Sequence, residues 1–141
     1  MKPLIWALAL VAALFASPAS AASSIVATID LSDQRMKVSV NGFQRYSWAV
    51  STARRGYRTP VGTFRPQRLE RMWYSRKYDM SPMPNAIFFL GGYAIHGTDV
   101  IKRLGTPASH GCVRLHPSNA AMLYALVRQT GMGNTRIVVI R

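Results

Sequence analysis

Alternating apolar and polar residues predict three consecutive β-strands in the first third of the chain. Apolar side chains occupy every second position in two runs, 24–31 and 35–40, a spacing typical of half-buried strands. Asn41 and Gly42 follow, and both residues tolerate the positive φ that a tight hairpin turn needs. A third alternation then carries Tyr46, Trp48 and Val50. We therefore predict a β-meander.

The middle of the chain has a weaker pattern. Proline and glycine within 59–64 mark turns around a short extended piece. Residues 65–85 carry Trp73, Tyr74 and Tyr78 among basic residues and three prolines, with no clean period. We predict a long irregular segment there, the kind that often forms a lid or a binding wall.

The last third predicts a hairpin, a helix and a final strand. Two short apolar runs, 86–90 and 93–96, flank two glycines, which is the spacing of a two-residue hairpin and leaves His96 at a strand end. Helical spacing of apolar residues from Pro117 to Gly131 predicts an α-helix, and 135–140 is rich in β-branched residues. The fold class is therefore predicted to be mainly β with one helix.

The first 22 residues have the three regions of a secretory signal in order. Lys2 supplies positive charge, an apolar stretch runs from position 4 to 15, and small residues around Ala21 offer a cleavage site. The apolar stretch is shorter than the roughly 20 residues that a membrane helix needs. We predict a signal peptide at 1–22 and one soluble exported domain at 23–141, in the periplasm or cell envelope, without stable membrane insertion after cleavage.

The chain is strongly cationic, with 18 Lys and Arg residues against 5 Asp and Glu residues. Such a charge attracts polyanions through long-range steering, or simply keeps the surface solvated. The arginines are scattered from Arg35 to Arg141, and an exported protein rarely meets nucleic acid. We therefore expect anionic wall polymers or carboxylate-bearing peptides as partners, and no nucleic acid.

Cys112 is the only cysteine, so the exported chain carries a thiol that cannot form an internal disulfide. His110 and Gly111 precede it directly, and His96 ends a nearby predicted strand. A base can hold a cysteine as the nucleophilic thiolate, and a glycine lets substrate approach the backbone closely. The N–H groups of Gly111 and Cys112 are candidate donors to an oxyanion. An inert buried cysteine remains an alternative at this stage.

A zinc site is a second alternative, because His96, His110, His116 and Cys112 include all the histidines and the only thiol. One residue separates His110 from Cys112, so the two side chains would point to opposite faces of an extended segment. Close zinc ligands are usually at least two residues apart. We therefore predict no metal site.

Two motifs carry a family resemblance. Residues 95–98 read Ile-His-Gly-Thr, and after a loop containing Leu104 and Gly105, residues 109–115 read Ser-His-Gly-Cys-Val-Arg-Leu. Together they resemble the signature of the L,D-transpeptidase catalytic domain of the YkuD type. The segment 59–64 and the helix after the cysteine match in order and spacing, so the resemblance covers essentially all of 23–141. It implies a mixed β-sandwich-like fold with one helix following the nucleophile.

The resemblance implies a cysteine-dependent acyltransferase that acts on peptidoglycan stem peptides and needs no cofactor. Cys112 would attack the amide after the third, L-centre diamino acid of a stem, expel the terminal D-alanine and form a thioester. An amine from another stem would then resolve the thioester. His96 matches the base of the family.

The same resemblance assigns the neighbours of the cysteine to the oxyanion pocket or to substrate binding. These residues are Ser109, His110, Gly111 and Arg114. Arg114 stands where the family sometimes has asparagine, and its guanidinium suits a bidentate clamp on a stem carboxylate.

The sequence leaves two alternatives to transpeptidation open. Water could resolve the same thioester, which gives an L,D-carboxypeptidase or other hydrolase, and a cationic domain that only binds the wall is a further alternative. Asp99 is the one acidic residue near the motifs, and we expect it to be a solvated loop residue while a backbone carbonyl orients His96. Pairing with His96 would let Cys112 be alkylated below the pH of about 8.5 that suits a free thiol.

Overall fold

The computed structural model describes residues 16–17 and 23–141. The predicted signal peptide, 1–22, lies outside the described residues apart from Ala16 and Ser17. The described part contains one α-helix, two short 3-10 turns at Ile101–Arg103 and Met132–Asn134, and nine strands. The bounds are β1 (Ile25–Asp30), β2 (Arg35–Val40), β3 (Phe43–Ser51), β4 (Gly62–Phe64), β5 (Arg68–Ser75), β6 (Ser81–Leu90), β7 (Tyr93–Gly97), β8 (Val113–Leu115), α1 (Pro117–Thr130) and β9 (Thr135–Ile140).

The strands form one curled sheet in the order β4-β9-β1-β2-β3-β8-β7-β6-β5. The predicted meander is confirmed: β1, β2 and β3 pair antiparallel, and Asn41 and Gly42 turn with φ of 51° and 83°. The two parallel pairs are β1 with β9 and β7 with β8. The second pair brings the two predicted motifs side by side.

The main core lies between the curled sheet and α1. The helix begins at Pro117, which needs no N–H partner there, and ends before Gly131, whose φ of 99° suits only glycine readily. It buries Ala120, Leu123 and Val127 against the sheet. The predicted helix is therefore confirmed. No helix in the described part is long and apolar enough to cross a membrane.

The prediction of an irregular segment at 65–85 is wrong, because most of it forms the hairpin of β5 and β6. Two prolines hid the second strand from the sequence pattern. Pro82 and Pro84 lie in the part of β6 that pairs with β5 alone, since β7 pairs only with 87–90. A proline on the open side of a strand removes no ladder hydrogen bond.

A break in this hairpin switches the faces of β6. Asn85 has a left-handed φ of 51° in mid-strand, and its pairing with Arg71 is missing from an otherwise continuous ladder. Met83, which precedes the break, packs in the same small apolar cluster as Phe88, which follows it, although in a regular strand the two would face opposite sides. Ile87 packs in the main core instead. Asn85 therefore interrupts the alternation of apolar and polar residues that a regular strand would show. It also places Met83 on the opposite face of the sheet from the main core.

We expect Asn85→Val to lower the free energy of unfolding by about 1–3 kcal/mol, because a β-branched residue is strained in the left-handed region. Asn85→Gly is the matched control, since glycine accepts this φ, and it should stay within about 1 kcal/mol of the wild type. Urea denaturation measures both. Equal stabilities of the two variants would show that the backbone leaves this conformation at little cost.

Candidate active site

The parallel pairing of β7 with β8 aligns the two motifs. His96 on β7 lies opposite Arg114 on β8, and Ile95 lies opposite Val113. Val113 and Leu115 are fully buried, so the alternate residues Cys112 and Arg114 face away from the core, toward a cleft. Both motifs therefore present their polar side chains to the same cleft.

Hydrogen bonds to Thr52 fix the loop that leads to the cysteine. The N–H groups of Ala108 and Ser109 both donate to the Thr52 carbonyl, at 2.9 Å each. Thr52 is in turn held by buried Gln34, whose Nε2 donates to Thr52 Oγ1 at 2.6 Å and whose Oε1 accepts from the Thr52 N–H at 2.9 Å. The turn between β1 and β2 thus supports the active-site loop.

Hydrogen bonds and close packing fix the position of Gly111. Its N–H donates to Ser109 Oγ at 3.0 Å, and its carbonyl accepts from Thr59 Oγ1 at 2.9 Å. Ser109 Oγ also donates to the Cys112 carbonyl at 2.6 Å. With φ at 140°, a Cβ on Gly111 would lie 2.6 Å from the Tyr93 ring, so only glycine fits. The Gly111 N–H that the sequence offered as an oxyanion donor is occupied here by Ser109.

Cys112 is half-buried against a small apolar cluster. The cluster consists of Met83, Ala86, Phe88 and Ala94, with Trp73 packed against it. Burial raises the pKa of the thiol, and the opposing effects of the Ala94 N–H and of Arg114 are smaller. This direction is opposite to the one expected if His96 pairs with Cys112, and it favours a neutral thiol in the resting geometry.

His96 is almost fully buried, and its Nδ1 lies 2.7 Å from the Gly97 carbonyl oxygen. This is the backbone carbonyl expected to orient the ring. A proton on Nδ1 donates to that oxygen and leaves Nε2 as an acceptor. Burial, and to a smaller extent the charge of Arg114, lowers the pKa of His96 to about 4, against the partial opposition of the Gly97 hydrogen bond. The ring is therefore neutral at neutral pH.

His110 lies between two tyrosines. Its ring stacks on Tyr78 with centroids 4.0 Å apart and an angle of 11°, and Tyr57 meets it edge-on at 4.8 Å. Tyr78 belongs to the turn of the β5–β6 hairpin, so that hairpin reaches the loop before Cys112. Partial burial lowers the pKa of His110, and three cations lower it further, namely Arg54, Arg114 and Lys77.

One cleft of about 880 Å³ is lined by all six predicted site residues: His96, Ser109, His110, Gly111, Cys112 and Arg114. The wall also carries four more cations, Arg58, Arg68, Arg76 and Lys77, but Asp99 is its only acidic residue. Arg68 spans Trp73 and Phe88, with its Cζ 4.4 and 4.0 Å from the two ring centroids, and pairs with Glu70 at 3.1 Å. The remaining cations give the cleft a positive field.

The sequence did not predict two residues that support the site, Gln34 and Met83. Gln34 gave no signal in the sequence, because a polar residue in a turn is usually solvent-exposed, whereas the structure buries Gln34 and hydrogen-bonds it to Thr52. Met83 was hidden by the adjacent prolines and by the break at Asn85. Among the described residues, no three His, Cys, Asp or Glu side chains are placed to hold one metal ion.

The sequence of this chain matches the family model of the L,D-transpeptidase catalytic domain, of the YkuD type, over residues 24–140. The chain belongs to this family. No curated protein sequence matches it significantly.

Solved structures of L,D-transpeptidases share the fold of this domain. The enzyme from Mycobacterium smegmatis is 22% identical with a TM-score of 0.76, and the match covers 84% of this chain and 59% of that one. The enzyme from Stackebrandtia nassauensis is 26% identical, with a TM-score of 0.73 and coverage of 90% and 60%. L,D-transpeptidase 3 from Mycobacterium tuberculosis, in complex with a faropenem-derived adduct, is 20% identical with a TM-score of 0.72, and the match covers 84% of this chain and 61% of that one. This chain thus spans about three-fifths of each of these relatives.

The buried neutral His96 makes the stability of this L,D-transpeptidase domain depend on pH. Its pKa is about 4 when folded, against 6.5 as the ordinary value. The unfolded chain therefore binds this proton first, and the stabilisation present above pH 6.5 is lost as the pH falls toward 4. We expect urea denaturation to show a loss of about 3 kcal/mol over this window from His96 alone. In His96→Gln that part of the loss should disappear, and an unchanged pH profile would contradict the burial argument.

Arg114 is the cation that favours the Cys112 thiolate. At pH 7 we expect iodoacetamide to alkylate Cys112 more slowly than free cysteine, because burial raises the pKa of the thiol. Arg114→Gln should slow alkylation further, by roughly three- to tenfold, whereas Arg136→Gln removes the same charge from β9, outside the cleft lining, and should not. Intact-mass spectrometry follows the adduct. Faster alkylation than free cysteine, or equal rates in both variants, would contradict this picture.

Proposed function

We propose that the domain is a peptidoglycan L,D-transpeptidase. Cys112 attacks the amide after the third residue of a stem peptide, the C–N bond breaks, and D-alanine leaves with the thiol proton. A thioester remains on Cys112 until an amine attacks its carbonyl, forms an amide and releases the sulfur. The observation that carries this proposal is the meeting of Cys112, His96 and Arg114 at one cleft in a chain of this family.

The neutral state of His96 suits the role of general base. With Nδ1 engaged by Gly97, Nε2 can take the proton from the Cys112 thiol as the sulfur attacks and then pass it to the leaving D-alanine. Thiol and imidazole then need not be charged before substrate arrives. Because the thiol is neutral at rest, proton removal accompanies attack instead of preceding it.

Oxyanion stabilisation falls to the Cys112 N–H in this arrangement. Among the described residues that N–H has no hydrogen-bond acceptor, whereas the Gly111 N–H donates to Ser109. We therefore assign Ser109 and Gly111 to shaping the loop, and Cys112 N–H to the oxyanion. Arg114 and His110 also line the cleft, and we assign both to substrate binding. The Arg114 guanidinium can pair with a stem carboxylate.

The cationic cleft favours an anionic acyl donor. Five of the six charged residues on its wall are basic, and a stem peptide carries free carboxylates. This supports stem peptides as partners and leaves anionic wall polymers as a second class that the same charge attracts. Export to the periplasm or cell envelope, directed by the predicted signal at 1–22, would place the domain beside this substrate.

Intact-mass spectrometry with a tetrapeptide stem tests the proposal. We expect a Cys112 acyl adduct lacking D-alanine, and a cross-linked product when an amine acceptor is added. The penem faropenem should also acylate Cys112, as a faropenem-derived adduct is known for a related L,D-transpeptidase. Cys112→Ala should abolish every adduct and product while it leaves the free energy of unfolding nearly unchanged, because the side chain is half-buried.

The outcomes separate the alternatives. Trimmed stems without any cross-linked product would identify a carboxypeptidase that uses the same thioester. No adduct at all, with binding to isolated sacculi that is equal in the wild type and Cys112→Ala, would identify a wall-binding domain.

A further inference from the structure

The cleft has one acidic residue, Asp99, among its basic ones. Asp99 is exposed, and it is the one carboxylate among the residues that line the cleft. The only ion pair in the described part of the chain joins Arg68 and Glu70, so Asp99 has no cationic partner within 4 Å there. Burial lowers the pKa of the Arg114 guanidinium, and the charge of Asp99 opposes that shift only weakly.

The backbone holds Asp99 in place. Thr98 is buried, its N–H donates to the Leu115 carbonyl at 2.9 Å, and its Oγ1 accepts from the Val100 N–H at 3.1 Å. This small turn ties Asp99 to the end of β7, two residues after Gly97 and three after His96. The backbone of Asp99 is thus fixed next to the end of β7, while its carboxylate is exposed.

An apolar surface adjoins this carboxylate. Val100 also lines the cleft, and it is 47% exposed, with neighbouring Ile101 at 48%. An exposed carboxylate beside exposed methyl groups matches an alkylammonium ion, whose methylenes need apolar contact and whose charge needs an anion. Elsewhere the cationic wall repels such a group.

We propose that Asp99 is a specificity residue that receives the acyl acceptor, a primary amine on an alkyl chain, and so favours transfer over hydrolysis. This rests on the proposed function. The bound ammonium first gives one proton to solvent, and the free amine attacks the thioester carbonyl on Cys112. The C–S bond then breaks as the amide forms, and the second proton reaches the sulfur through His96.

The test compares wild type, Asp99→Asn and Asp79→Asn with a tetrapeptide stem and an alkylamine acceptor. Asp79→Asn makes the same charge change on the hairpin turn, at an exposed residue outside the cleft lining whose φ of 52° asparagine tolerates. Mass spectrometry gives the ratio of transfer product to hydrolysed stem. For Asp99→Asn we expect this ratio to fall roughly three- to fivefold, the upper part of the range of one exposed ion pair, with D-alanine release during acylation not reduced, because the cleft becomes more cationic.

Two controls make the result specific to charge. Hydroxylamine, which is largely uncharged at neutral pH, should resolve the thioester equally in all three proteins. High salt should narrow the difference in this ratio between the wild type and Asp99→Asn, because screening weakens the attraction of Asp99 for the ammonium.

An unchanged ratio in Asp99→Asn, an equal fall in Asp79→Asn, or an equal loss with hydroxylamine would overturn the assignment of Asp99 while leaving the thioester chemistry intact. A wild-type protein that forms the acyl-enzyme but yields only hydrolysis would also overturn it. Failure of the wild type to form any acyl-enzyme would instead overturn the proposed function, and this inference with it.

Discussion

Strand β8 has only three residues, and its register between β3 and β7 determines where the reactive groups lie. Val113 and Leu115 are fully buried, and Cys112 and Arg114 alternate with them. A slip of one residue would bury the thiol and the guanidinium and expose both apolar side chains. The cost of burying an unpaired charge makes that slip unfavourable by several kcal/mol. The same hydrophobic contacts that stabilise the core therefore also aim the cysteine.

The polar supports of the site are as closely specified as the core. Gln34, Thr52 and Thr59 are buried, and among the described residues every buried side-chain nitrogen or oxygen has a hydrogen-bond partner. Removing one partner from such a pair costs about 1–3 kcal/mol, because the other group stays buried without compensation. These bonds connect the β1–β2 turn and the segment before β4 to the loop of Ser109 and Gly111. The position of the active-site loop is thus set by residues far away in the sequence.

Much of this arrangement could be predicted from the sequence, since regular alternation identified β1, β2 and β3, β-branched residues identified β9, and glycine and proline bounded α1. The hairpin of β5 and β6 could not, because the left-handed Asn85 reverses the alternation and two prolines imitate a loop. The candidate site residues were found through their motif, and the structure brings all of them to one cleft. Their protonation states could not be predicted from the sequence, because these depend on burial. The sequence pattern indicated an easily ionised thiol, whereas the apolar cluster around Cys112 favours the neutral form.

That neutral form suits the proposed thioester reaction in a positive cleft. Before reaction, neither the Cys112 thiol nor His96 carries a charge, so the field of Arg114 and its neighbours does little to stabilise the resting state. As sulfur attacks, negative charge develops on the carbonyl oxygen, and the same field then becomes favourable. Interactions that strengthen only in the transition state are the ones that increase the rate. The field has the opposite effect on the second half of the reaction, because it repels a protonated amine while leaving water unaffected. In the proposed reaction, a cationic cleft would therefore promote thioester formation and, without a local negative charge, would leave the thioester to hydrolysis.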